Sequence, residues 1–157
     1  MIKDIEVPAD GPAWSVAVAV ARFNAQITDM MWEGCRATLE AGNVGRIVRV
    51  PVPGAFELPL VCRWLVESER FDAVVALGAV VRGETAHFDF ISAECTRGLG
   101  QVALESRIPV AFGVLTPENA QQAIERADPA QKNKGREAAQ AALDMMALGS
   151  AIRRGAA

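Results

Sequence analysis

The chain is poor in the residues that most often announce chemistry or location. Its 157 residues include one histidine and three cysteines, and no apolar run approaches the ~20 residues that span a bilayer. Membrane insertion is therefore not expected, and the opening residues, which mix Lys3 with Asp4 and Glu6, do not read as a secretory leader. Cys35, Cys62 and Cys95 are odd in number, widely spaced and each set within a helical pattern. Neither a disulfide framework nor a CxxC motif results, and a reducing cytoplasm is the expected compartment. An excess of positive charge is also missing. Lys and Arg number 16 against 19 Asp and Glu, for a net charge of −3 and a pI near 5.2, so no broad attraction to nucleic acid or an anionic membrane is expected. Any basic site must be local. Internal repeats, low-complexity segments and linkers are absent too. With 51% hydrophobic and 22% charged residues, the chain reads as one globular domain with a sizeable core.

What is present is a regular alternation of β-type apolar runs and helical patterns. Val16–Ala21, Ile47–Val52, Ala73–Val81 and Val110–Leu115 read as strands. After the first, Ile27, Met30, Met31, Cys35, Thr38 and Leu39 mark one face of a helix ending near Gly42. After the second, Leu58, Val61, Cys62, Leu65 and Val66 recur at helical spacing, with Pro59 tolerable in the first turn. Further helices are expected over about Phe88–Glu105, from Pro117 through Ala127, and over about Gly135–Ile152. Strands each followed by a helix need right-handed crossovers. The economical architecture is α/β, a flavodoxin-like three-layer sandwich with a four-stranded parallel sheet flanked by helices. Met30, Trp32, Trp64, Met145 and Met146 either complete that core or form a self-association face.

In a parallel sheet all strand tips lie along one edge, where such folds bind ligands. The third tip carries Arg82-Gly83-Glu84-Thr85-Ala86-His87, with the only histidine. There Gly83 lets backbone amides approach an anion, Thr85 adds a hydroxyl, and a helix starting near His87 presents its positive end. His87 can exchange protons near neutrality beside that anion. The first tip carries Arg22-Phe23-Asn24: Phe23 can stack on a planar heterocycle, and Asn24 can bond a ligand or cap the helix. The second carries Pro51 to Glu57, in which Gly54 permits backbone access and Glu57 either binds polyol hydroxyls or complements a helix N-terminus. Phe112 lies inside the fourth run and reads as core by its position. Arg126, Lys132 and Lys134 place cations around the start of the last helix; Arg126 offers a fork for phosphate, Lys134 a compact charge, and Lys132 a solvated turn.

These segments carry a resemblance that covers nearly the whole chain. Arg22-Phe23-Asn24, Pro53-Gly54-Ala55-Phe56-Glu57, Gly78 to Gly83, Thr85 with His87-Phe88-Asp89-Phe90, Phe112 to Thr116, Ala123 to Ala127 and Asn133-Lys134-Gly135 resemble the 6,7-dimethyl-8-ribityllumazine synthase family. The resemblance implies one domain over 1–157 with an extended arm over 1–13. It implies a transferase of riboflavin biosynthesis that joins 5-amino-6-ribitylamino-2,4-pyrimidinedione to 3,4-dihydroxy-2-butanone 4-phosphate, releasing phosphate and water, without a metal or organic cofactor. Phe23 would stack on the pyrimidinedione, Ala55, Phe56 and Glu57 would hold the ribityl chain with Asn24 nearby, and Ala79, Val80 and Val81 would offer backbone contacts. Glu84 and Thr85 match the phosphate loop, Arg126 the phosphate clamp, His87 the proton-transfer residue and Lys134 an auxiliary cation. Phe112 corresponds to a wall supplied by a neighbouring subunit, so a homo-oligomer built on pentamers is implied.

Two segments depart from the family pattern. Glu84 puts a carboxylate in the phosphate loop, where only its backbone amide can serve an anion. Asp128-Pro129-Ala130-Gln131-Lys132 stands where shell-forming relatives carry a glycine-containing turn, which favours a pentamer over a sixty-subunit shell. A non-catalytic flavin- or lumazine-binding paralogue is the alternative, for which a phosphate clamp beside a proton shuttle has no use. A Cys/His hydrolase fits less well, since no cysteine falls at a strand tip.

Overall fold

The structure, a computed structural model, describes residues 13–155; all but the last residue of the expected arm lies outside them. The chain runs β1 (Ser15–Ala21), α1 (Ala25–Ala41), β2 (Arg46–Val52), a 3-10 turn at Ala55–Glu57, α2 (Leu58–Glu67), β3 (Ala73–Ala79), α3 (His87–Glu105), β4 (Val110–Leu115), α4 (Ala120–Ala127) and α5 (Lys134–Arg153). All strand pairs are parallel, in the order β2-β1-β3-β4, with Val18 beside both Arg49 and Val75. The fold is thus the α/β three-layer arrangement read from the alternation. Because β2 lies on one side of β1 and the remaining strands on the other, the strand order reverses between β1 and β3. A crevice opens at the carboxyl ends of strands at such a reversal.

Strand burial follows from position. All seven residues of β3 are buried, as a central strand covered on both faces requires, and its run is accordingly continuous rather than alternating. Val16, Val18, Val20, Val75 and Leu77 pack with Ile27, Met31, Leu39, Ala139 and Met146 under α1, α4 and α5. Ala17, Ala19, Val74 and Ala76 face the opposite way, onto Leu58, Cys62, Cys95 and Leu99 of α2 and α3. Small residues let α2 and α3 approach closely: a Cβ on Gly98 would stand 2.8 Å from Pro59.

Two boundaries differ from the sequence reading by more than a residue, and one expected cap is not made. β3 stops at Ala79, two residues short of Val81, as the chain leaves the sheet towards α3. α4 begins at Ala120 rather than at Pro117, because the Asn119 side chain accepts the Gln122 N–H at 2.9 Å and so caps the helix there. Asn24 precedes α1 in a left-handed conformation with no side-chain cap. The large apolar residues also divide: Met146 is buried and Met30 and Trp32 pack partly against the core, whereas Trp64 and Met145 are exposed.

Each cysteine is free and buried. Burial disfavours the thiolate and pushes the Cys35 and Cys62 thiols up to about 12 and that of Cys95 up to about 11. The folded protein is therefore expected to react with no thiol reagent at pH 8 on the minutes timescale, and with three equivalents once denatured. An absorbance assay of thiol exchange reads both numbers; a fast native equivalent would contradict this packing. The sign for stability follows: above pH about 8.5 the unfolded chain ionises its thiols and the folded chain does not, so stability falls as pH rises from there.

Candidate active site

The tips of β1 and β3 meet through Asn24. Its Nδ2 donates to the Ala79 carbonyl at 2.8 Å, which explains why the side chain does not cap α1. Asn24 thus ties the first strand tip to the third. Beyond Ala79 the backbone donors alternate: Val80 N–H bonds Leu115 O at 2.8 Å and Arg82 N–H bonds Pro117 O at 3.1 Å. Val81 N–H, between them, has no partner among the described residues, and an unpaired donor at a crevice is available to a ligand carbonyl.

Around this tip a cleft of about 530 Å³ is lined by Phe23, Gly54 to Glu57, Ala79 to Val81, Gly83, Thr85, His87, Phe88 and Ile91. Its walls are mainly apolar with a few convergent polar groups, the usual composition of a small-molecule site. Phe23 is 71% exposed and Phe56 58%, so aromatic faces stand uncovered at its mouth. Gly54 is extended, a conformation open to any residue; what it supplies is room, since an added Cβ would lie 3.3 Å from Glu57 Oε2. The Glu57 carboxylate thus lies back against Gly54, whose added Cβ would also stand 3.8 Å from Phe23 Cβ.

His87 is the first residue of α3, as expected, and is exposed. Thr85 Oγ1 accepts its N–H at 3.4 Å, a long contact that leaves the hydroxyl free to turn to a ligand. No atom stands within 4 Å of where a Gly83 Cβ would be, so this loop is open to an incoming anion. Glu84 is exposed and absent from the lining. Arg82 is already committed: it bonds Glu118 at 2.6 Å, pairs with Asp89 at 3.2 Å and lies 4.4 Å over the Phe88 ring. It braces the start of α3 rather than offering a free cation.

The other sequence-predicted cations lie elsewhere in the chain. Arg126 and Lys134 line a second cleft of about 550 Å³ with Phe112 to Pro117, Gln122, Glu137, Ala138 and Ala141. The two clefts share no lining residue. Arg126 is half-buried, its Nη1 donates to Gln122 O at 3.1 Å, and no carboxylate pairs with it among the described residues. Lys134 pairs with Glu137 at 2.7 Å, an exposed contact that a dianion can displace. Phe112, read as core from its strand, is instead 47% exposed, because β4 is an edge strand with nothing beyond it. A third, more apolar groove containing Leu104 and Met145 shares Phe112 and Ala141 with the cationic cleft.

One residue of the site region carried no assigned role in the sequence. Asn133 is fully buried and bonds backbone groups of α1, α4 and α5, the last two beside Arg126 and Lys134 in sequence; residue type and spacing gave no sign of this, since it depends on α1 packing behind it. Among the described residues no three His, Cys, Asp or Glu side chains gather as a metal site would need, and no helix is long and apolar enough to cross a membrane.

Comparison with known proteins is consistent with this geometry. The family described as 6,7-dimethyl-8-ribityllumazine synthase matches residues 13–150. The curated 6,7-dimethyl-8-ribityllumazine synthase of Edwardsiella ictaluri (strain 93-146) is 50% identical over 155 residues, covering 97% of this chain and 99% of that protein. With both strand-tip clefts inside the matched span, the chain belongs to the 6,7-dimethyl-8-ribityllumazine synthase family.

Proposed function

We propose that this chain condenses 5-amino-6-ribitylamino-2,4-pyrimidinedione with 3,4-dihydroxy-2-butanone 4-phosphate to give 6,7-dimethyl-8-ribityllumazine, phosphate and water. Beyond family membership, the observation that carries this reading is the cleft that groups Phe23, Ala55 to Glu57, Ala79 to Val81, Thr85 and His87. Phe23 stacks on the pyrimidinedione, Val81 N–H donates to a ring carbonyl, and Glu57 accepts from ribityl hydroxyls while Ala55 and Phe56 flank the chain. Asn24 acts through Ala79, holding the backbone that meets the ring. Gly83 and the amides of Glu84 and Thr85 face the phosphate.

The amine attacks the ketone carbon and loses water to form an imine. A proton then leaves carbon, the bond from carbon to the phosphate oxygen breaks, and phosphate departs with that electron pair. The enol so formed takes a proton on its terminal carbon to become a methyl ketone, which the ribitylamino nitrogen attacks to close the second ring with loss of a second water. His87 gives and takes the protons, and the rest of the rate comes from alignment of two reactive substrates.

A dianionic phosphate also needs cations, and no Lys or Arg is among the residues lining the His87 cleft, while Arg82 beside it is committed. In our reading Arg126 and Lys134 of a neighbouring copy supply them, with Phe112 of that copy as a wall, so the working site lies between chains of a ring, with five copies as the family resemblance implies. The exposed apolar residues beside Phe112 support contact at that edge. Free, buried cysteines fit a cytoplasmic setting.

The test is to mix purified protein with both substrates and follow the lumazine chromophore against the uncatalysed background. Wild type accelerates its appearance, and His87→Ala lowers kcat about 10- to 100-fold without abolishing it, near the low end of what a general acid–base supplies. No acceleration by folded wild type that nonetheless binds lumazine tightly would move the assignment to a binding protein.

A further inference from the structure

Asn133 is one of two buried polar side chains among the described residues, at 0% exposure, and the other, Thr28, is accounted for by its bond to Ala21 O. It holds a positive φ of 23°, unusual outside glycine. Its Nδ2 donates to Met30 O at 3.1 Å and to Ala127 O at 2.7 Å, and its Oδ1 accepts Arg136 N–H at 2.7 Å. One carboxamide therefore binds the body of α1, the last carbonyl of α4 and the first turn of α5.

The sequence positions of these partners matter more than their number. Ala127 directly follows Arg126, and Lys134 directly follows Asn133, while both cations line one cleft. The surroundings leave the amide no alternative place. A Cβ on Gly34 would lie 2.1 Å from Asn133 Oδ1, and one on Gly135 would lie 2.0 Å from Met31 O, so α1 is pressed against both sides of Lys134. Aspartate would keep the shape and the cap but turn a carboxylate oxygen towards two carbonyls. Serine is too short to reach them, and glutamine too long for the space that Gly34 leaves.

We propose that Asn133 is a positioning residue for the anion site, setting the separation of Arg126 and Lys134 so that both reach one phosphate. The proposal rests on the reading of that cleft as the phosphate-substrate site. Neither cation touches the amide; each is carried by a backbone segment that the amide anchors.

The experiment compares wild type with Asn133→Asp, which loses the two donated bonds, and Asn133→Gly, which keeps the positive φ and loses all three. Both KM values and the affinity for inorganic phosphate, measured by calorimetry, are the readouts. In the folded variants KM for the phosphorylated ketone and Kd for phosphate rise about 10-fold, KM for the pyrimidinedione stays within about twofold, and in an Arg126→Ala/Lys134→Ala background the same substitutions add nothing. Equal changes in both KM values, no change in either, or loss of folding in both variants overturns the proposal, since each assigns Asn133 to the fold alone. If wild type makes no lumazine, the functional reading fails, and the phosphate titration still decides whether Asn133 sets the anion site.

Discussion

Arg126→Ala raises KM for the phosphorylated ketone by about 10- to 150-fold and leaves KM for the pyrimidinedione nearly unchanged. The size follows from what the side chain offers. Arg126 is half-buried, has no carboxylate partner among the described residues and spends one donor on Gln122 O, so the rest of its fork is uncommitted. Hydrogen bonds to a charged group contribute about 1.5–3 kcal/mol, and each 1.4 kcal/mol is about tenfold in affinity. Arg126→Lys separates charge from geometry: it keeps the cation but not the planar fork, and lands between wild type and alanine. Steady-state kinetics with each substrate varied in turn reads the split. An Arg126→Ala enzyme with an unchanged KM for the phosphorylated ketone would remove Arg126 from the phosphate site; a uniform rise in both would make it a fold residue.

The contrast between Arg126 and Arg82 illustrates how far the sequence can be read. Both stand near strand tips, and residue type alone does not rank them. Only the positions of Glu118, Asp89 and the Phe88 ring reveal that Arg82 is engaged. The architecture itself was legible because periodicity is local: the seven-residue apolar run of β3 and the helical stripe through Met31, Cys35 and Leu39 announce their elements directly. Phe112 shows where that reading stops. Inside an apolar run it looks like core, and its exposure arises from β4 lying at the sheet edge, a property of strand order rather than of neighbours in sequence. Asn133 lies furthest from reach, since its bonds to Met30 and Ala127 span elements whose contact no spacing rule encodes. The first strand tip is intermediate: Asn24 was singled out for a ligand bond or a helix cap, and its partner is Ala79 O, across the crevice rather than at the helix it precedes.

The separation of the two clefts leads to the second large effect. Co-expression of His87→Ala with Arg126→Ala, followed by isolation of mixed oligomers, restores activity that neither variant has alone. At a ketone concentration well below the Arg126→Ala KM, each homomeric variant runs at a tenth of wild type or less. In a ring with head-to-tail contacts every site takes one wall from each of two neighbouring copies. Random mixing of equal amounts then leaves about a quarter of the interfaces with an intact His87 from one chain and an intact Arg126 from the next, and the mixture recovers about that fraction of wild-type rate. A site completed within each chain behaves differently: every copy would carry one defect whatever its neighbours, and the mixture would show only the mean of the two variants. Pooled but never co-assembled homomers give that mean as the control. Recovery to about a quarter would place the proton-transfer group and the phosphate clamp on different copies, in keeping with the disjoint linings of the two clefts; a rate equal to the mean would confine the site to one chain and demand a rearrangement that brings α4 to the tip of β3.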